Sequence, residues 1–370
     1  MSHVRVLIAS GGSGGHIFPA VALARALKDS KSDIEIMFVG SSKELDRRIF
    51  EKEKFRYLLI SANKLPYGVS FKLIPFFFML KLDILRMLFL FASYRPNVVV
   101  GFGGYVSFPA IFAAYILNVP KIIHEQNVVP GRANKVLFKL ANKVALSFDA
   151  TKKFMGDCVP KAVITGNPIR REMLNGDRSL GIKKFGLEDS KFTVLVVGGS
   201  QGAHALNEKF IGALSAIDES VRRSMQVIHI TGVKDYKWAV GAYSGIRNLE
   251  HRVFSFIDRI EEAYSASDLV VTRAGASAIF EVAAFAKPMI LVPYPYAIAH
   301  QAENARVFSE RGAAIQIDEK ELSAEVFKNS ILKLFNDRTL VKNMAGEVKR
   351  LAVPGASDAL AREVLKVCEK

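Results

Sequence analysis

Two glycine-rich loops of nearly the same design lie about half a chain apart, and they constrain the fold more than any other feature. They read GGSGGH from Gly11 and GGSQGA from Gly198, and each follows a short β-branched run, at 4–9 and at 192–197. Helical apolar spacing follows each loop. A strand, a glycine loop and a helix together bind anions, because glycine lets the backbone approach a phosphate and the helix start offers unpaired N–H groups. The duplication predicts two nucleotide-type domains, although packing alone would also explain either loop.

The order of the predicted elements supports two domains. The chain has 370 residues, which is more than one ordinary core needs. Strand-like runs alternate with helix-like segments in both halves, which predicts α/β domains with doubly wound parallel sheets. The pattern restarts after the turn Gly166-Asn167-Pro168, so we place the first domain at 1–166 and the second at 167–350. We expect the last helical segment, 351–370, to pack back on the first domain.

Positive charge is concentrated in the first half of the chain. The formal net charge is +15, and residues 1–170 contain 24 Lys and Arg against 11 Asp and Glu. This asymmetry favours a surface that meets a polyanion or an anionic membrane, with solubility as the simpler explanation. The two cysteines lie far apart and outside any metal-binding spacing, so we expect a reducing compartment and neither disulfides nor a zinc site. The first strand begins too early for a secretory signal.

The segment 71–92 is the most apolar in the chain, and its length approaches that of a membrane span. Lys81, Asp83 and Arg86 in its middle argue against spanning. Lys72, Asp83 and Arg86 fall on one narrow helical face, and the remaining apolar surface is wider than a helix packed on a sheet requires. We therefore expect a helix that is partly buried and that also enters the membrane interface, with a wholly buried helix as the alternative. The residues assigned to membrane contact are Lys72, Phe76, Phe77, Lys81, Arg86 and Leu88.

Polar residues follow three predicted strands of the first half. His16 closes the first loop, Gly103-Gly104-Tyr105 lies in a second glycine turn, and His124 to Asn127 ends a later strand. Since parallel strands end at one edge of a sheet, these residues predict a polar cleft there. The dipole of a helix start disfavours a charged imidazolium, so His16 is favoured in the neutral, base-competent form. The second strand ends without an acid to hold a ribose, which disfavours a nicotinamide enzyme.

The second half contains a further group of polar residues. A small-residue turn after Arg273 leads into a predicted helix with Glu281, and Gln301 and Asn304 share one face of the next helix. A carboxylate accepts hydrogen bonds from ribose hydroxyls, and amides bind sugar hydroxyls. Together with the Gly198 loop, these residues favour a nucleotide-sugar site. A helix-end charge and simple capping are the alternatives.

Taken together, the motifs resemble those of the MurG family of glycosyltransferases, which belongs to family 28, over essentially the whole chain. The matching segments are GGSGGHIFPA, GFGGYVSFPA, HEQN, TGNPIR, GGSQGA, TRAGASAIFE and HQAEN. The resemblance implies a GT-B fold, with two Rossmann-like domains facing across a cleft. It implies transfer of N-acetylglucosamine from UDP-N-acetylglucosamine to the C4 hydroxyl of the muramyl sugar in a lipid-linked pentapeptide acceptor, with inversion, for peptidoglycan synthesis. It also implies a peripheral protein on an anionic membrane surface at the cytoplasmic face, with no tightly bound cofactor, metal or nucleic acid.

The site residues are assigned by the same resemblance. Donor contacts are Ser13, Gly14, Gly15, Asn127 and Arg170 in the first domain and hinge, and Ser200, Ile257, Ala276, Ser277, Ala278, Ile279, Phe280, Glu281, Gln301 and Asn304 in the second. Contacts to the acceptor diphosphate are His16, Gly103, Gly104 and Tyr105. His16 is the candidate catalytic base, with Glu281 or a water assisted by Asn127 as alternatives. Ser277 departs from the family pattern, in which a larger or β-branched residue is usual, so we expect a slightly looser nucleotide pocket.

Two other functions fit parts of the same pattern. Another GT-B enzyme that uses a UDP-sugar, either a glycolipid glycosyltransferase or a UDP-sugar epimerase, would keep the phosphate loops and Glu281. A non-catalytic membrane or polyanion binder would explain the basic half but would not need a donor site.

Overall fold

The computed structural model describes residues 4–31, 33–61, 71, 73–198, 203–295 and 300–368. The chain divides into two compact units. Unit 1 comprises Met1–Arg170 and Val353–Lys370, and unit 2 comprises Arg171–Ala352. The division follows Arg170, four residues after the Gly166 boundary placed from the sequence.

Unit 1 is built on a sheet of seven parallel strands in the order β3-β2-β1-β4-β5-β6-β7. Its strands are β1 (Val4–Ala9), β2 (Ile34–Ser41), β3 (Arg56–Ile60), β4 (Val98–Gly101), β5 (Lys121–Glu125), β6 (Lys143–Leu146) and β7 (Ala162–Ile164). Its helices are α1 (Gly14–Ser30), α2 (Glu44–Lys52), α3 (Leu73–Tyr94), α4 (Gly104–Ile116), α5 (Arg132–Leu140) and, from the end of the chain, α15 (Ala356–Cys368). Short 3-10 segments cover Asp149–Phe154 and Gly156–Lys161.

Unit 2 repeats this design with six parallel strands in the order β10-β9-β8-β11-β12-β13. The strands are β8 (Phe192–Val197), β9 (Met225–Ile230), β10 (Glu250–Phe254), β11 (Leu269–Thr272), β12 (Met289–Leu291) and β13 (Ala314–Gln316). The helices are α6 (Arg178–Phe185), α7 (His204–Ser215), α8 (Glu219–Arg222), α9 (Tyr236–Ser244), α10 (Ile260–Ala266), α11 (Ala276–Ala284), α12 (His300–Ser309), α13 (Ala324–Asn336) and α14 (Arg338–Leu351), after a 3-10 turn at Arg171–Leu174. The prediction of two doubly wound parallel-sheet domains is confirmed.

Each glycine loop follows the strand at which the sheet order reverses. β1 lies between β2 and β4, and β8 lies between β9 and β11. In open parallel sheets, the crevice outside the carboxyl end of such a strand is where ligands bind. The topology therefore places the first glycine loop, and Gly198 at the beginning of the second, where an open α/β sheet has room for a ligand.

Strand alternation produces a buried core on both faces of the first sheet. Val6 and Ile8 of β1 belong to one apolar cluster, whereas Leu7 belongs to the other. Because successive side chains of a strand point to opposite faces, a strand covered on both sides is apolar throughout. Leu360 and Val364 of α15 lie in the first cluster, and α15 packs on α1. The end of the chain thus completes the core of unit 1.

Among the described residues, no helix combines the length and the apolar character that crossing a membrane requires.

Candidate functional site

The first glycine loop is held by a buried carboxylate that the sequence reasoning did not identify. Asp46 of α2 is fully buried and accepts hydrogen bonds from the Gly12 N–H at 2.9 Å and from the Ser41 N–H and Oγ at 2.8 and 2.6 Å. Gly12 has a φ of +82°, which favours glycine. A β-carbon at Gly11 would lie only 2.1 Å from an Asp46 oxygen. Glycine is therefore required in this loop partly because Asp46 approaches the backbone too closely for a side chain at position 11.

His16 and the second glycine turn lie next to each other. Nδ1 of His16 is 3.2 Å from Oγ of Ser13, and a β-carbon at Gly104 would lie 3.7 Å from the same imidazole nitrogen. Gly103 and Gly104 have φ values of +90° and +71°, a conformation that side chains strongly disfavour. The structure thus brings together His16, Gly103 and Gly104, as the shared sheet edge predicts. The helix α1 begins at Gly14 and Gly15, so the predicted residues Ser13, Gly14 and Gly15 form its start.

Tyr105 is oriented toward α3. Its hydroxyl donates a hydrogen bond to Oδ2 of Asp83 at 3.0 Å, and its ring packs edge-on against Phe76 with the centroids 5.8 Å apart. Burial, followed by the hydrogen bond to Asp83, raises the pKa of Tyr105 above its ordinary value. The Tyr105 hydroxyl therefore donates to Asp83, and Tyr105 remains a predicted contact of the acceptor diphosphate through its other groups.

Buried polar residues shape the loop that carries Asn127. Glu125 is almost fully buried and accepts hydrogen bonds from the N–H groups of Asn127 and Gly131 and from Nδ2 of Asn134, at 2.9, 3.1 and 2.8 Å. These bonds wrap the loop after β5 around one carboxylate. Asn127 itself is half-buried. Glu125 thus positions the backbone of the predicted site residue, a role that the sequence analysis did not assign.

His124 has a structural position in the core. Its Nε2 is 3.1 Å from the carbonyl oxygen of Gly166, and its Nδ1 accepts from Nε2 of Gln126 at 3.2 Å. Because a carbonyl only accepts, Nε2 must bear the proton. Burial lowers the pKa of His124 to about 4, so the ring is neutral near pH 7. Arg170, assigned to the donor, has its guanidinium 5.0 Å from the centre of the Phe18 ring.

In unit 2 the predicted donor segment on α11 divides between the core and the surface. The side chains of Ala276, Ile279 and Phe280 are buried, and only their backbone groups remain available for a ligand. Ser277, Ala278 and Glu281 are half-exposed, and their spacing places them on one side of the helix. Ala276, Ile279 and Phe280 therefore remain predicted donor contacts through their backbone groups, because an apolar helix on a sheet must bury one face. Ile257, assigned to the uracil, is half-buried beyond the carboxyl end of β10.

The two amides of α12 connect neighbouring loops. Oε1 of Gln301 accepts from the N–H of Tyr294 at 2.9 Å, and Nδ2 of Asn304 donates to the carbonyl oxygen of Ala274 at 3.2 Å. Asn304 is fully buried. For Asn304, these bonds favour the alternative of a purely structural role over sugar binding. Gln301 is half-exposed and lies beside Tyr294. The predicted residues Ser200 and Lys72 lie outside the described residues.

The helix α3 presents an exposed aromatic surface. Phe77, Phe78 and Phe89 are 57%, 61% and 77% exposed, and Ile74 is 70% exposed. Lys81 and Arg86 are exposed on the same helix. We call the exposed side chains of Ile74, Phe77, Phe78, Lys81, Arg86 and Phe89 the α3 surface.

Three expectations for this helix change. Phe76 is buried against Tyr105, and so it is not a membrane contact. Leu88 is half-buried and packs on the unit 1 core. Asp83, expected on a polar face with Arg86, is completely buried because Ser61 and Tyr105 supply hydrogen bonds to its carboxylate, while the longer Arg86 reaches solvent.

Within the described ranges, no three or more His, Cys, Asp or Glu side chains form a group that would hold a metal ion.

Comparison with known proteins identifies the family. The profile of the glycosyltransferase family 28 N-terminal domain matches residues 6–146, and that of the family 28 C-terminal domain matches residues 193–360. A Thermodesulfovibrio yellowstonii protein is 40% identical over 348 residues, covering 92% of each chain. Its name is UDP-N-acetylglucosamine--N-acetylmuramyl-(pentapeptide) pyrophosphoryl-undecaprenol N-acetylglucosamine transferase. The resemblance inferred from the motifs is confirmed.

Solved structures agree with this assignment. MurG of Acinetobacter baumannii superposes with a TM-score of 0.79 at 27% identity, over 98% of this chain and 99% of that one. A UDP-GlcNAc 2-epimerase of Neisseria meningitidis superposes at 0.67 over 98% and 100%, but at 13% identity it shares only the fold. Two matching domain profiles and a nearly full-length relative at 40% identity establish that the chain belongs to glycosyltransferase family 28.

Proposed function

We propose that this protein transfers N-acetylglucosamine from UDP-N-acetylglucosamine to the C4 hydroxyl of the muramyl sugar of a lipid-linked pentapeptide, for peptidoglycan synthesis. The observation that carries the proposal is the 40% identical relative, whose name states this donor sugar and this acceptor and which matches nearly the whole chain. The two glycine loops at the reversal points of the two sheets agree with a reaction that involves two diphosphates.

Unit 2 binds the donor in this proposal. The helix α7 begins directly after the Gly198 loop, and its start favours a diphosphate because its N–H groups and its dipole both attract negative charge. We assign Ser200 to the phosphates and Ile257 to the uracil. Glu281 and Ser277 share the exposed side of α11, where a carboxylate would accept hydrogen bonds from ribose hydroxyls. Gln301 is assigned to the sugar.

Unit 1 binds the acceptor. The Gly11 loop and the turn at Gly103 and Gly104 would hold its diphosphate, and His16 lies against both. When the proton of the imidazole is on Nδ1 and donated to Ser13 Oγ, Nε2 is the basic nitrogen. We therefore assign to His16 the role of accepting the proton of the C4 hydroxyl. Ser13, Gly14 and Gly15, where the Gly11 loop meets α1, remain predicted donor contacts together with Asn127 and Arg170.

The reaction is one in-line displacement with inversion. The acceptor O4 forms a bond to the anomeric carbon as the bond from that carbon to the UDP oxygen breaks. The proton of the C4 hydroxyl passes to His16, and the leaving electron pair departs on UDP. Donors fixed before the reaction stabilise this developing charge without reorganisation, which is the contribution we assign to the start of α7.

We further propose that the protein lies peripherally on the anionic cytoplasmic face of the cell membrane. The α3 surface offers four large exposed apolar side chains flanked by Lys81 and Arg86. Apolar insertion together with attraction to anionic lipids is how interfacial helices bind. The excess of positive charge in residues 1–170 acts in the same direction.

A transfer assay tests the proposed function. Purified protein is incubated with radiolabelled UDP-N-acetylglucosamine and lipid-linked muramyl-pentapeptide, with and without a chelator, and the lipid products are separated. A labelled disaccharide lipid that forms equally with the chelator is expected. Conversion of the donor to its 2-epimer without acceptor would indicate an epimerase. If neither product forms and UDP fails to raise the melting temperature of the protein, a non-catalytic binder is indicated.

A further inference from the structure

Asp83 is the one residue of α3 whose burial the apolar character of that helix does not explain. It lies in the middle of the most apolar segment of the chain, yet its carboxylate is completely buried. It accepts hydrogen bonds from Ser61 Oγ at 2.7 Å, Tyr105 Oη at 3.0 Å and Arg86 Nη1 at 3.1 Å. A buried carboxylate contributes little net stability compared with an apolar side chain of similar size. The role of the Asp83 carboxylate is therefore to fix the positions of its hydrogen-bond partners.

These partners connect the α3 surface with the acceptor turn. Ser61 follows the carboxyl end of β3, and Tyr105 is the second residue of α4, directly after Gly103 and Gly104. Phe76 packs edge-on against both Phe77 and Tyr105, with centroid separations of 5.4 and 5.8 Å. Two successive turns of α3 thus carry the exposed ring of Phe77 on the outer side and two contacts to Tyr105, from Phe76 and Asp83, on the inner side.

The contacts continue from Tyr105 to the candidate base. Gly104 precedes Tyr105, and a β-carbon at Gly104 would lie 3.7 Å from the His16 imidazole. The turn has little freedom of its own, since Gly103 and Gly104 both have positive φ values and Ser107 Oγ accepts from the Gly103 N–H at 2.9 Å. A shift of α3 along its axis would therefore be transmitted through the Tyr105 hydroxyl to the backbone beside His16. All of these residues belong to unit 1.

We propose that Asp83 is a positioning residue that couples the seating of α3 on a lipid surface to the geometry of the Gly103–Tyr105 turn at the acceptor site. This inference rests on the proposed function. Asp83 contacts neither substrate, and it acts through Tyr105. Membrane contact at Phe77 then favours the position of α3 in which the turn is correctly formed for the acceptor diphosphate.

The test uses the full-length protein and its variants Asp83→Asn, Tyr105→Phe and the double variant. Transfer is measured with a water-soluble, short-chain analogue of the lipid-linked acceptor, so that partitioning of the acceptor into lipid does not affect the result. Each assay is run with and without vesicles of phosphatidylethanolamine and phosphatidylglycerol. Binding to the same vesicles is measured by flotation. Tyr115→Phe is the matched control, because Tyr115 is an exposed tyrosine on the same helix as Tyr105.

Vesicles are expected to raise kcat/KM for the short-chain acceptor in the parent protein and in Tyr115→Phe. In Asp83→Asn and Tyr105→Phe this stimulation disappears, and acceptor kcat/KM in the presence of vesicles falls about tenfold, as expected for loss of one charged hydrogen bond. The double variant falls no further, because both changes remove the same coupling. Donor KM and vesicle binding stay within twofold of the parent.

Stimulation that persists in Tyr105→Phe, additive losses in the double variant, or an absence of stimulation in the parent would each overturn the coupling. Tyr105→Phe removes one oxygen only, so it decides the question even where Asp83→Asn does not fold. Failure of the proposed function is a different result, in which the parent forms no disaccharide product from either acceptor.

Discussion

Replacing Asp46 by Asn, a side chain of almost the same volume, should loosen the first glycine loop. The carboxylate accepts from Gly12 N–H, Ser41 N–H and Ser41 Oγ in a fully buried position. The side-chain amide of the Asp46→Asn variant has only one acceptor oxygen, and its NH₂ group would face one of these three donors. Losing one charged hydrogen bond and leaving a buried donor unpaired costs about 3 kcal/mol in local opening free energy.

Amide hydrogen exchange measures this local cost directly, since the two units need not unfold together. A loss of about 3 kcal/mol corresponds to exchange roughly 100-fold faster in peptides that contain Gly12 and Ser41. Acceptor KM should rise in the same variant, and by a larger factor than donor KM. Asp33→Asn is the matched control, because Asp33 is exposed in the same unit. Unchanged exchange at Gly12 would refute the role of Asp46, and a raised donor KM with a normal acceptor KM would refute the assignment of the loop to the acceptor.

Three further predictions concern the donor site, the membrane and pH. Glu281→Ala should raise donor KM about tenfold with little change in kcat, as loss of ribose hydrogen bonds requires, and an unchanged donor KM in steady-state assays would contradict the assignment. Phe77→Ser combined with Phe89→Ser should weaken flotation with anionic vesicles at least tenfold, whereas Phe154→Ser, outside the α3 surface, should not; equal effects would favour unfolding instead. Burial lowers the pKa of His124 to about 4, so the unfolded chain binds the extra proton below pH 6.5 and the native state loses stability as pH falls. Denaturation should show a loss of about 1.5 kcal/mol between pH 6.5 and pH 5 that His124→Asn removes, beside the separate loss from His229, whose pKa burial lowers to about 3; an identical pH slope in the variant would refute this origin.

The elements with strong patterns were predictable from the sequence. The strand at 192–197, the helix predicted from 71–92 and the two glycine loops all depend on short-range spacing, which records whether a segment is covered on one face or on both. The adjacency of His16 and Gly104 was also predictable, because parallel strands end at one edge and both residues follow strands.

Residues that act through distant partners were not predictable in the same way. Asp46 meets Gly12 across 34 positions, and the sequence around Asp46 reads as an ordinary exposed helix. Phe76 belongs to an almost continuous apolar circumference, and only the packing of Tyr105 decides that it is buried while Phe77 is exposed. Asp83 did give a signal, as an acid within an apolar helix, but its hydrogen-bond partners Ser61 and Tyr105 lie on other elements.

The helix α15 has a consequence for the order in which the protein is made. Unit 2 is an insertion within unit 1, since residues 171–352 are synthesised before α15. Leu360 and Val364 of α15 fill the apolar cluster around α1, so that cluster stays open on one side while the ribosome completes the whole of unit 2. The unit translated first is therefore the unit that finishes folding last. Unit 1, with the α3 surface exposed and this apolar cluster still open, must stay soluble or be bound by another protein while nearly two hundred codons are translated.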